Sequence, residues 1–139
     1  MVCTFFGDRD APDSIEISLY STLVHLVEDE KVTLFYVGNH GRFDNLILRN
    51  LKRLKTHYAQ IRYYVVLAYM PGDKQEYGDF SDSIYPGGLE SIPQRYAIIK
   101  RNEWMIRRAD YVVTYAKNPF KNALKFKELA KRKIVSSLN

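Results

Sequence analysis

Covalent staples are absent from this sequence. Its one cysteine, Cys3, cannot form a disulfide within the chain, which fits a reducing compartment. Long apolar runs are missing too: none approaches the roughly 20 residues needed to span a bilayer, so no membrane association is expected. The opening residues Met1-Val2-Cys3-Thr4-Phe5-Phe6 carry no basic leader and run straight into Gly7-Asp8-Arg9. No secretory signal is read there, and a cytoplasmic setting is expected. Cys3, His25, His40 and His57 have none of the spacings of a metal site, so no metal is expected. A G-x-S-x-G elbow, a Walker A loop and the dinucleotide fingerprint G-x-G-x-x-G are all missing. No cofactor is assigned on these grounds.

What is present is an ordinary globular composition. Hydrophobic residues make up 46% of 139 residues, enough for one domain with its own core and too many for a disordered chain. The 21 lysines and arginines outnumber the 16 acidic residues, for a net charge of +5. The excess gathers in Arg49 to Lys55 and Lys117 to Lys133. A basic balance suits phosphates or nucleic acid, although solvated helix faces have the same look. The eleven tyrosines fall mostly in apolar runs or beside proline and glycine, which points to packing more than to base stacking.

Apolar runs and helical stripes alternate along the chain. Val2 to Phe6, Val32 to Val37, Ile61 to Leu67 and Tyr111 to Tyr115 read as strands, with a short fifth beginning at Ile134-Val135. Ile15, Leu19, Leu23, Leu26 and Val27 predict a first helix from about Ser14 to Glu28, opened by the capping-box pattern Asp13-Ser14-Ile15-Glu16. Ile47, Leu48, Leu51 and Leu54 predict a second, starting near Phe43 or Asp44, with Arg49, Lys52, Arg53 and Lys55 outside its stripe. Pro93 opens a third, reaching Arg108, and Asn122 to Lys131 forms a basic fourth. Met70 to Arg95 reads as a long loop whose aromatics, Tyr69 at its start and Tyr77, Phe80 and Tyr85 within it, could cover the base of a ligand. Continuous apolar strands separated by helices predict a single α/β Rossmann-like domain in three layers. The expected sheet is mainly parallel and five-stranded, in the order 3-2-1-4-5.

Open sheets of this kind bind ligands at the carboxyl ends of their strands. Three polar features belong there. The first is Gly7-Asp8-Arg9-Asp10 after strand one, where Arg9 could fork onto a phosphate or pair with Asp10 or Asp13. The second is Gly38-Asn39-His40-Gly41-Arg42-Phe43-Asp44, a glycine-bracketed turn whose amides could hold an anion and whose His40 and Asp44 could exchange protons. The third is Arg101-Asn102 in helix three, where Asn102 shares a face with Ile98, Met105 and Ala109 and needs a loop or a ligand as partner. The candidate ligand-binding residues are Gly7, Asp8, Arg9, Gly38, Asn39, His40, Gly41, Asp44, Arg101 and Asn102.

The ordered set of these motifs, completed by Lys100-Arg101-Asn102-Glu103-Trp104-Met105 and Ala109-Asp110-Tyr111-Val112-Val113, resembles the YpsA-like branch of the SLOG superfamily (Smf/DprA and LOG). The resemblance covers nearly the whole chain. It implies a Rossmann-like fold and a nucleotide-derived or nucleic-acid ligand at the loops after strands one and two. Asp8 stands where such proteins commonly carry histidine, and Lys121-Asn122 where they tend to carry a glycine pair. Pro86-Gly87-Gly88-Leu89-Glu90 echoes the start of the LOG catalytic loop but lies in the wrong place, so that hydrolase activity is not carried over. Three functions follow as expectations. The first is a ligand-binding or sensor domain for a nucleotide-like, phosphate-bearing small molecule. The second is a nucleotide-processing hydrolase using Asp8, Asp44 or Glu103. The third is an interaction module for nucleic acid or protein built on the basic helices. A homodimer is the expected assembly.

Overall fold

The computed structural model describes residues 1–69, 83–115 and 133–138. Six parallel strands form the sheet: β1 (Val2–Gly7), β2 (Leu34–Val37), β3 (Arg62–Val66), β4 (Ser83–Ile84), β5 (Tyr111–Tyr115) and β6 (Ile134–Ser137). Their order is β4-β3-β2-β1-β5-β6. This is the expected 3-2-1-4-5 arrangement with one strand added at the β3 edge. That strand, Ser83–Ile84, sits inside the stretch read as a loop. Its 2 residues are too few to show any alternation. It extends the ladder all the same, with the Leu67 amide donating to the Ile84 carbonyl at 2.8 Å.

Among the described residues three helices cover the two faces: α1 (Glu16–Glu28), α2 (Gly41–His57) and α3 (Gln94–Arg108). Side chains alternate across β1, as strand geometry requires. Cys3 and Phe5 pack with Leu19, Leu23 and Leu26 of α1 and Ile47, Leu51 and Leu54 of α2. Phe6 turns to the opposite face and joins Ile99 and Ile106 of α3 and Val112 of β5. The centre of the sheet is therefore buried on both sides, the physical reason β1 and β5 read as continuous apolar runs. The fold is Rossmann-like α/β. Among the described residues no helix is long and apolar enough to cross a membrane. The expected fourth helix, Asn122 to Lys131, lies outside the described residues, as do Lys121, Tyr77 and Phe80.

The N-terminus of α1 departs from expectation. Asp13–Ile15 is a short 3-10 turn, and no side chain caps either it or α1. The two carboxylates of the supposed capping box reach across to α2 instead. Asp13 pairs with Arg42. Glu16 takes both Arg49 Nε and Nη2 at 2.8 Å, and its Oε1 also accepts from Asn50. A forked guanidinium offers a carboxylate two charge-assisted bonds where a helix end offers single amides. The acidic start of α1 thus clamps it to α2 and leaves capping undone.

Candidate functional site

The two glycine turns meet because both are squeezed at their backbones. A side chain on Gly7 would overlap the Tyr115 carbonyl and lie 2.9 Å from the Phe43 ring. That contact lets the Asp8 amide donate to the same carbonyl at 2.8 Å and sets the end of β1 hard against β5. Gly41 has φ +87°, a left-handed geometry natural to glycine, and a Cβ there would sit 2.8 Å from the Arg9 Cα. Arg9 and the start of α2 are thereby clasped, with the Arg42 amide donating to the Arg9 carbonyl at 2.7 Å.

Arg101 of α3 joins the second turn to the sheet. Its side chain is almost fully enclosed, at 2% exposure. Nη1 donates to the Val66 carbonyl at 3.0 Å and to Asn39 Oδ1 at 3.3 Å. Nε donates to Asn102 Oδ1 at 2.8 Å, and Nη2 lies 3.4 Å from His40 Nδ1. A guanidinium can only donate, so Nδ1 is the accepting nitrogen and Nε2 carries the proton. That proton faces the Tyr69 hydroxyl at 3.0 Å. Gly38 makes room for the junction: a Cβ on it would meet Asp44 Oδ2 at 2.7 Å and the Arg101 guanidinium at 3.0 Å.

Between these elements lies a cavity of about 80 Å³. Gly7, Arg9, His40, Asp44, Arg101 and Asn102 supply its polar wall, and Phe5, Phe6, Ile98 and Met105 its apolar one. Six of the ten residues singled out from sequence therefore line one space. The other four frame it. Gly38 and Gly41 give the clearance, Asn39 holds Arg101, and the half-buried Asp8 is tied to β5 through its amide. Asn102 finds its partner in its neighbour Arg101, not in a loop. Arg9 pairs with neither Asp10 nor Asp13, since Asp13 is taken by Arg42. Among the described residues its guanidinium has no ion-pair partner.

Some candidates fall outside. Glu103 is buried beside Lys100, 3.6 Å away, and does not line the cavity. A Cβ on Gly87 or Gly88 would meet nothing within 4 Å, and neither glycine lines the cavity. Larger hollows exist, about 280 Å³ at Lys55, Arg62, Tyr63 and Tyr64 and about 230 Å³ at Glu16, Ile17, Tyr20 and Arg53. Neither lies at the strands' carboxyl ends, and neither gathers buried charged groups. The Val66 carbonyl, which carries no motif, and Tyr69, read as the start of the aromatic loop, both belong to the site. Their position just past β3, matching that of Gly7 past β1 and Gly38 past β2, is the signal that points to both.

The electrostatics set the protonation states. Burial pushes the Asp44 carboxyl up to about 6, against the pull of the His40 amide, Arg101 and Arg9. Burial, helped by the charges of Arg101 and Arg9, drives His40 down to about 4. Burial also lowers Arg101, offset by Asp44 and Tyr69. Among the described residues no cluster of histidine, cysteine and carboxylate could hold a metal ion.

These shifts oppose each other in folding. Asp44 is more easily protonated when folded, so its stabilisation is complete below its ordinary 3.8 and is lost as pH rises through 6. His40 is harder to protonate when folded, so its stabilisation is complete above 6.5 and is lost as pH falls through 4. Wild-type stability should change little across this window. Asp44→Asn removes one limb and keeps an acceptor for the His40 amide. Urea midpoints of the variant should climb steadily from about pH 4 to 6.5, with a gain of about 2 kcal/mol over wild type above pH 7. Parallel profiles for the two proteins would contradict the opposed titration. No family model matches this chain, and no curated protein matches it.

Proposed function

We propose that this chain is a ligand-binding or sensor domain for a nucleotide-derived or other phosphate-bearing small molecule, with the phosphate in the cavity beside Arg9. The observation that carries the reading is the convergence of Arg9, His40, Asp44, Arg101 and Asn102 on one space at the carboxyl ends of the strands. Two arginines face a single carboxylate there, and that carboxylate is only weakly acidic. The surplus charge favours an anion. Among the described residues Arg9 is the cation with hydrogen-bonding capacity to spare, because the Arg101 donors already serve Val66, Asn39, Asn102 and His40.

Size narrows the ligand. Pockets that engulf a whole drug-sized molecule run to about 300–1,000 Å³. A space of about 80 Å³ holds one phosphate-sized group, and the remainder of the molecule lies outside it. The resemblance to YpsA-like SLOG proteins points the same way, since it implies a nucleotide-like ligand at these two loops.

A thermal-shift panel of nucleotides and sugar phosphates tests the reading. A ligand at a hundred times its Kd should add about 2.7 kcal/mol of stability, a shift of several degrees. Arg9→Ala removes a charge-assisted bond and should weaken that ligand about 10- to 100-fold. A panel that shifts nothing, or a shift that survives Arg9→Ala, counts decisively against it.

A further inference from the structure

The feature of the cavity least expected of an anion site is its own carboxyl group. Asp44 is 8% exposed and lines the same space as Arg9 and Arg101. A carboxylate there repels the ligand that the two arginines attract. We propose that anion capture in this cavity is coupled to proton uptake at Asp44, so that the carboxyl enters the complex as a neutral acid and donates a hydrogen bond to one tetrahedral oxyanion held beside Arg9. The proposal rests on the phosphate-site reading and adds what the site does with its carboxylate.

The groups facing Asp44 leave it as the proton acceptor. Arg9 approaches from the β1–α1 connection, and Arg101 from α3, with Asn102 beside it. His40, at the start of the same helix, donates its amide to Asp44 Oδ2 at 2.9 Å. Tyr69, just past β3, bonds only to His40 among the described residues. The arginines stay charged over the whole working range. His40 is held neutral by its burial and by both arginines. Burial has raised the Asp44 carboxyl to about 6.

A dianion placed in so small a space sets two like charges within a few ångströms of the carboxylate. Groups in that position do not both stay ionised; the pair keeps a proton and titrates higher. The proton serves the complex, because a neutral carboxyl is a donor where a carboxylate is only an acceptor. Oδ2 is already engaged by the His40 amide, so the other oxygen is the one free to carry the proton toward the ligand.

Calorimetric titration with sulfate tests the coupling. Sulfate keeps its charge where phosphate titrates, so any pH dependence belongs to the protein. Affinity should fall about tenfold between about pH 5.5 and 8, with roughly half a proton taken up per sulfate near neutrality. The uptake is read from the difference in heat between two buffers of unlike ionisation enthalpy, and needs no variant. Asp44→Asn should abolish both effects and bind at high pH about as tightly as wild type does at low pH. Inorganic phosphate and adenosine monophosphate, run as separate arms, tell a free anion from a nucleotide phosphate, with the uptake at Asp44 expected in whichever binds once the ligand's own change of ionisation is subtracted. Sulfate binding that is flat in pH and shows no buffer-dependent heat overturns the coupling and leaves the anion site standing. No binding of any of the three at any pH removes the anion site and the coupling together.

Discussion

Arg101→Met is expected to lower stability by about 3–5 kcal/mol, the cost of breaking a buried charged network from one side. Methionine replaces most of the apolar stem, so little packing is lost. What goes is the donor set. The Val66 carbonyl, Asn39 Oδ1 and Asn102 Oδ1 all accept from this one guanidinium. Leaving the buried Val66 carbonyl without its donor costs about 1–3 kcal/mol, and the part-buried asparagine oxygens add less. Asp44 also loses the stronger of its two cationic influences and becomes a less acidic buried carboxyl. Replacing a buried ion group by an apolar one is harmless only when its partners go with it, and here they remain. Arg101→Lys should fall between wild type and Met, since an ammonium keeps the charge but cannot fork across carbonyl and amide partners in several directions. Urea midpoints at constant m-value measure the series. A methionine variant within about 1 kcal/mol of wild type would show that the network is bonded more weakly than its geometry suggests.

Gly7→Ala should cost about 2–4 kcal/mol, through overpacking of backbone against backbone. The added methyl would overlap the Tyr115 carbonyl and crowd the Phe43 ring. That ring is 1% exposed and stacked on Tyr115 with centroids 6.4 Å apart, so it has nowhere to retreat. Relief requires the end of β1 to leave β5, which breaks the Asp8–Tyr115 hydrogen bond and moves Arg9 out of the cavity wall. Ligand binding and stability should therefore fall together. Gly87→Ala is the control. Its Cβ would meet nothing within 4 Å, so its effect should stay within about 0.5 kcal/mol, the range of surface changes. Thermal melts of the two variants decide the matter. A Gly7→Ala protein that melts with wild type would mean the turn is looser than the contact implies.

Both variants act where the loops meet, and here reading the sequence and reading the structure part company. The strands β1 and β5 announce themselves as apolar runs because helices bury them on both faces, while the part-buried β2 and β3 do so through their aromatic and β-branched residues. Leu19, Leu23 and Leu26 and Ile47, Leu51 and Leu54 mark their helices because one stripe of each is dry. Those patterns are local, and they carried the strand order as well, through the handedness of parallel crossovers. The Ser83–Ile84 strand had no such pattern, since two residues have no period. Asp13-x-x-Glu16 had a misleading one. The same spacing suits a helix cap, and Arg42 and Arg49 lie too far along the chain to be seen competing for it.

The candidate site divides in the same way. Sequence alone brought Gly7-Asp8-Arg9, Gly38 to Asp44 and Arg101-Asn102 to one edge of the sheet, because each follows a strand or faces one. It determined the residue types available there: three arginines, a histidine, two carboxyl groups and two amides. It could not assign their work. That Arg101 ties the framework while Arg9 keeps its donors among the described residues, that Asn102 bonds its own neighbour, and that Asp44 titrates at about 6 depend on which groups lose water and which meet across the fold. Hydrogen-bond partnership and desolvation are properties of three-dimensional neighbourhoods, and those of Asp44 span residues from Arg9 to Arg101. Only the folded chain brings them within reach.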